Sequence, residues 1–130
     1  MSHLEDRRRK RSADPLVALH YQLAYARQDG ALDAIVVADT SGVVVAGAGS
    51  WATCEELAAY APMLAQPASQ PSLSRPVASR VESLRREVGV RSTLIDGQEL
   101  LVCARGGAAR DASLAYALRG VERILRSPSN

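Results

Sequence analysis

The sequence predicts an α/β domain of the α+β kind, in which helices cover a mostly antiparallel sheet. Three observations carry this. Residues 34–38 (Ala-Ile-Val-Val-Ala) and 43–46 (Val-Val-Val-Ala) are β-branched apolar runs joined by Asp39-Thr-Ser-Gly42, the pattern of a β-hairpin. A second pair of apolar runs, 90–95 and 99–104, flanks Asp96-Gly97, a dipeptide that suits a tight hairpin turn. Helical apolar spacing appears before the first hairpin, between the two, and after the second.

The first helix is expected to start at Asp14-Pro15. The carboxylate can cap free N–H groups, and proline suits the first helical position, where a missing N–H costs nothing. It should run to about residue 28 and stop near Gly30. Two apolar stripes lie on it: Leu16, Leu19, Leu23 and Ala26, then Val17, Ala18, Tyr21, Ala24 and Tyr25. A helix apolar on two sides needs two covers. The sheet supplies one, and a second subunit is a natural candidate for the other.

Both runs of the first hairpin are continuously apolar, as expected for strands covered on both faces. Gly47 and Gly49 are expected to turn the chain out of the sheet. In Thr53-Cys-Glu-Glu56 the spacing is that of a capping box, with Thr53 as cap. Leu57, Tyr60, Ala61 and Leu64 share a face of the helix that follows, and Pro62 should kink or end it. Residues 66–76 hold Pro67, Pro71 and Pro76 and read as a loop. Residues 80–88 are ambiguous. Val81, Leu84 and Val88 fit a helix, and a charged edge strand also fits, with the balance slightly toward helix. The last helix should span about 111–126, with Leu114, Ala117, Leu118, Val121, Ile124 and Leu125 inward.

The chain has 130 residues, 47% of them apolar, which suits one domain with a real core. The organisation expected is an arm at 1–13, a domain at 14–126 and a tail at 127–130. No apolar run approaches the roughly 20 residues of a membrane span. The charged start lacks the apolar stretch of a secretory signal, so the expectation is a cytoplasmic protein. The net charge of +2 is already present in residues 1–14, where five basic residues face three acidic ones. The remainder sums to zero, and no nucleic-acid surface is expected. The run Arg7–Arg11 would suit an acidic membrane or a nucleic acid. Without interleaved aromatics it reads better as a solvated tail.

The sequence shows no catalytic apparatus, and no enzyme activity, cofactor or metal is expected. His3 and Lys10 lie in the arm, and His20 reads as a packed or half-exposed helix residue. There is no phosphate-binding P-loop and no G-x-S-x-G elbow. Gly47-Ala-Gly49 is a fragment of a dinucleotide motif and reads better as a turn. Asp39 should bond its own turn and not a metal. Cys54 and Cys103 lack paired spacing and read as small buried hydrophobes. Trp51 fits two roles, a plug at the end of the sheet or an exposed anchor for a partner.

Residues 32–46 (Leu-Asp-Ala-Ile-Val-Val-Ala-Asp-Thr-Ser-Gly-Val-Val-Val-Ala), with the helix starting Glu55-Glu-Leu-Ala-Ala-Tyr-Ala61, resemble the roadblock/LC7 domain family in its bacterial type, kin of the roadblock dynein light chains. The likeness covers about 15–126, and its specific part is 32–61. It implies a profilin-like fold with a mostly antiparallel sheet of about five strands. It also implies a homodimer, in which the second helices face each other and middle strands pair across a two-fold axis. In this sequence that assigns 81–88 as the pairing strand. The implied interface holds Leu57, Tyr60, Leu64, Val81, Leu84 and Trp51. The implied role is a non-catalytic regulator or scaffold for a small Ras-like GTPase or for a motility or signalling complex. Pro62 and the long loop after it depart from the family pattern. The rival expectation is a GAF- or PAS-like sensory domain, which also mixes antiparallel strands with helices but holds a small ligand in a closed pocket.

Overall fold

The computed structural model describes residues 14–66 and 74–126. The expected arm at 1–13, the tail at 127–130 and most of the Pro-rich loop lie outside the described residues. Within them, four helices and four strands follow in the order α1 (Pro15–Gly30), β1 (Leu32–Asp39), β2 (Val44–Ala48), α2 (Trp51–Leu64), α3 (Arg75–Glu87), β3 (Val88–Ile95), β4 (Gln98–Gly106) and α4 (Arg110–Arg126). The strands form one antiparallel sheet in the order β2-β1-β4-β3. Helices α1 and α4 cover one face, while α2 and α3 cover the other. The α/β class is as the sequence predicts.

Local chemistry explains most boundaries. The Asp14 carboxylate accepts from the Val17 N–H at 3.4 Å, and Pro15 opens α1. Ala31, with φ +51°, ends it by donating its N–H to the carbonyls of Arg27 and Gln28. In the first hairpin, Asp39 Oδ1 accepts from the Ser41 N–H at 2.9 Å and the Val43 N–H at 3.0 Å. This is the self-bonded turn expected of Asp39. The second hairpin turns on Asp96 and Gly97, both with positive φ, which matches the right-handed twist of the flanking strands.

β1 and β4 have both faces covered, which explains their unbroken apolar sequence. Ile35, Val37, Leu100, Val102 and Ala104 face α1 and α4; Ala34, Val36, Ala38, Leu101 and Cys103 face α2 and α3. The β1–β2 pairing slips between Val37 and Ala38, so Val45 is the extra residue of a bulge.

Three expectations need correction. Residues 81–88 are not a strand: α3 runs to Glu87, β3 begins only at Val88, and the sheet has four strands. Period two would split the apolar residues of this segment, placing Val81 on one face and Leu84 on the other. The helical period brings Val77, Val81 and Leu84 together on the core side of α3. The cap of α2 is Ser50, not Thr53. Its hydroxyl accepts from the Thr53 N–H at 3.2 Å, and Glu56 turns away to Arg80. Gly47 stays inside β2, opposite Val36. The exit turn belongs to Gly49, whose φ is +120° and where a Cβ would lie 2.9 Å from the Asp33 carbonyl oxygen. Pro62 does lie in the last turn of α2, which ends two residues later.

Candidate interaction surfaces

The outer side of the α1–α4 layer is the larger apolar surface. Helical periodicity points the Leu19, Leu23 and Ala26 stripe of α1 into the core, where all three are buried. The second stripe is thereby turned outward. Val17, Tyr21 and Tyr25 are exposed, Tyr21 by 74%. Leu16 stands exposed beside them, and Tyr116 of α4 continues the patch, its ring centroid 5.9 Å from that of Tyr25. An open groove of about 700 Å³ runs between the helices near the start of α1, lined by Val17, Ala18, Tyr21, Gln22 and Ile124, with Asp14 and Arg123 among its walls. Contiguous aromatic and aliphatic exposure of this kind marks interaction surfaces on folded proteins.

A second surface lies at the β2 end of the sheet. Trp51 is the first residue of α2 and is 63% exposed, which decides between its two readings: it does not plug the core. Val43, just before β2, is exposed too. Together with Gly42, Val44, Glu55 and Ala59 these two line a groove of about 470 Å³.

The residues assigned to an interface by resemblance divide sharply. Leu57 and Leu84 have no exposed surface, and Val81 and Leu64 have very little. All four pack with Ala34, Val36, Ala38, Leu101 and Cys103 between the sheet and the α2–α3 layer. Tyr60 is half-buried at the margin of this cluster, and only Trp51 is open to solvent. Apolar spacing on a helix reports its core side, and it does not tell a core within one protomer from one shared by two. The exposed Leu16, Val43, Leu94 and Tyr116 were not singled out as surface residues by sequence. For Tyr116 a signal existed: it lies off the Leu114–Val121 stripe of α4.

The ionisable groups act mainly as links between elements. Arg80 of α3 meets Glu56 of α2 through two hydrogen bonds, 2.7 and 3.0 Å long. These bonds hold the Glu56 carboxyl below its ordinary pKa. Arg85 spreads its guanidinium over the C-terminal carbonyls of α2, donating to Met63, Leu64 and Gln66 at 3.2 Å each. Thr93 donates to Glu122 at 2.6 Å, and Arg126 bonds the Leu94 carbonyl, so α4 is tied to β3. His20 is exposed, its Nδ1 2.8 Å from the Leu16 carbonyl oxygen. Cys54 and Cys103 are buried free thiols. Burial pushes the Cys103 pKa up to about 12. It raises that of Cys54 as well, against the smaller opposing effects of Arg27 and a bond to the Ala48 carbonyl. Among the described residues, no group of three or more His, Cys, Asp or Glu side chains is arranged to hold a metal ion. Nor is any helix among them long and apolar enough to cross a membrane.

The class of protein these features define is a three-layer α/β/α domain with apolar surfaces on its helices. No family model matches the chain, and no curated protein matches it in sequence. Among solved structures, the chain is similar to Myxococcus xanthus MglB, with a TM-score of 0.48 and 9% identity over 85% of this chain and 86% of that one.

Proposed function

We propose that this chain is a non-catalytic protein-interaction module. In this reading it is a cytoplasmic homodimer that serves as a regulator or scaffold for a small Ras-like GTPase or a motility or signalling complex. The observation that carries the reading is the outward stripe of α1. Val17, Tyr21 and Tyr25 keep large apolar area in water although the core has no use for it, and Leu16 and Tyr116 extend the patch. A second copy covering this face would remove that area from water at both partners, as a two-fold interface does. This reading puts the dimer face on α1 and α4, because Leu57, Leu64, Val81 and Leu84 of α2 and α3 are buried inside the protomer. The GTPase part of the reading rests on the likeness of residues 32–61 to the roadblock/LC7 pattern; between the two hairpins the chain departs from that pattern, with a second helix, α3, where the likeness implies a pairing strand.

The test is the solution mass by light scattering across a concentration series, for the natural chain and for Tyr21→Ser/Tyr25→Ser. The expected result is a dimer for the former and a monomer for the latter, with thermal midpoints that agree within the effect of subunit dissociation. A natural chain that stays monomeric at every concentration overturns the dimer. Binding to a Ras-like GTPase is expected to differ between its GDP and GTP-analogue forms, measured by calorimetry with each. Equal affinity or no binding removes the regulatory role.

A further inference from the structure

β2 ends the sheet. It pairs with β1 on one side, and no strand among the described residues pairs with it on the other. An edge strand directs unpaired N–H and C=O groups outward and can template another strand. The second groove lies where this edge begins, at the hairpin turn. Its α2 wall is Trp51, Glu55 and Ala59, spaced by four and therefore on one helical face; its other wall is Gly42 and Val43 of the hairpin turn and Val44, the first residue of β2. Four of its six lining residues, Val43, Val44, Trp51 and Ala59, are apolar. Glu55, which is exposed, is the sole ionisable residue of the lining.

We propose that β2 and this groove form a docking site for an extended segment of a partner protein in which cationic and apolar side chains alternate. A strand laid along β2 gains main-chain hydrogen bonds and turns every second side chain toward the groove. A guanidinium or ammonium reaching past Trp51 meets both the ring face and the Glu55 carboxylate, two interactions that favour a cation with an apolar stem. A second copy of β2 does not meet this requirement. Its sequence, Val-Val-Ala-Gly-Ala, brings no cation to Glu55. This site is separate from the α1–α4 patch, so it stands or falls independently of the dimer.

Trp51 is the only tryptophan of the chain, so its emission reports on the groove alone. The experiment titrates the full chain with a short blocked peptide of alternating valine and arginine, and in parallel with one of alternating valine and glutamate. The expected result is a saturable shift of Trp51 emission below about 1 mM valine–arginine peptide and none with the valine–glutamate peptide. Amide shift changes should be confined to residues 42–48 and 51–59. Glu55→Arg, at an exposed position, should keep the fold by circular dichroism and weaken binding at least about tenfold. Several results overturn the proposal: equal response to both peptides, an unchanged affinity in Glu55→Arg, or shift changes centred on α1 and α4. An emission shift driven by protein concentration alone, which would put a second copy in the groove, overturns it too.

Discussion

The two faces of the sheet carry side chains of different size. Toward α1 and α4 the core is built from Leu19, Leu23, Ile35, Val37, Leu100, Val102, Leu114 and Val121. Toward α2 it includes Ala34, Ala38, Cys54, Ala58, Ala61 and Cys103 among fewer large residues. Small side chains let a helix sit close to a sheet. A Cβ on Gly47 would lie 3.0 Å from Cys54 Sγ on the α2 side, and one on Gly89 would lie 2.6 Å from Leu114 Cδ1 on the other, so both layers pack closely and the difference is in side-chain size. The inward residues of α2 are buried, as are those of α1 and α4. The α1–α4 layer instead stands on larger side chains and spends its surplus apolar stripe on the outside. The α2 side is thus the tight face in side-chain size, and the α1–α4 layer, the open one, carries the outward stripe of α1.

Cavities make the largest test of this contrast. Leu57→Ala on the tight face and Leu23→Ala on the other each empty a site with no exposed surface, and each should lose about 2–5 kcal/mol in urea unfolding. The loss should be greater at Leu57, where the flanking Ala58 and Ala61 have nothing to move into the void. A greater loss at Leu23 would break the comparison.

Overpacking sharpens it from the opposite side. Cys103→Leu adds volume where α2 approaches, whereas Val102→Leu, one residue earlier, adds it toward α4. The first should cost about 1–3 kcal/mol and the second less. The same position gives a chemical readout. With its pKa pushed up to about 12 by burial, the Cys103 thiol should react with a disulfide reagent only as fast as the protein opens, so Cys103 labelling should follow unfolding with denaturant.

Arg85 tests how the tight layer is held at its end. Its bonds to the Met63 and Leu64 carbonyls replace those the helix loses where it stops after Pro62, and a third reaches the Gln66 carbonyl just beyond. Arg85→Met keeps the apolar stem and removes the donors. It should cost about 1–2 kcal/mol and raise amide exchange at the end of α2 before it does so in α1. Uniform exchange across both layers would mean that α2 needs no such clasp.

What was legible in the sequence is what short-range chemistry decides. Asp14-Pro15, Asp39 to Gly42 and Asp96-Gly97 each satisfy their own backbone within a few residues, and each forms as read. The second stripe of α1 was legible as well, since periodicity alone places Tyr21 and Tyr25 opposite Leu19 and Leu23. What failed depends on distant partners. Glu56 fits a capping box with Thr53 in sequence, but Arg80, 24 positions away, takes it instead. The interface assigned to Leu57, Leu64, Val81 and Leu84 failed as a free surface because apolar periodicity cannot say which layer will cover it. For residues 81–88, helical spacing carried more information than resemblance did. Whether Trp51 faces in or out was set by where Gly49 and Ser50 aim the start of α2, and no pattern within the segment encodes that.

The smallest expected effect concerns the link between the two helices of the tight face. Glu56 has its pKa lowered chiefly by its hydrogen bonds to Arg80, against the opposing effect of burial, with smaller help from the charges of Arg80 and Arg105. A carboxyl whose folded-state pKa lies below its unfolded value adds stability above the unfolded value. That contribution fades as pH falls through the unfolded and then the folded value. Acid should therefore weaken the α2–α3 contact beginning near the ordinary glutamate range. The pair is about one-third exposed, so solvent screens it and the change should be slight. Glu56→Gln removes the titration and should flatten the acid limb of urea midpoint against pH, leaving the neutral midpoint only a little lower. Added salt should shrink the difference between the two proteins. A steep acid limb that survives in Glu56→Gln would assign the acid sensitivity to groups outside the α2–α3 link.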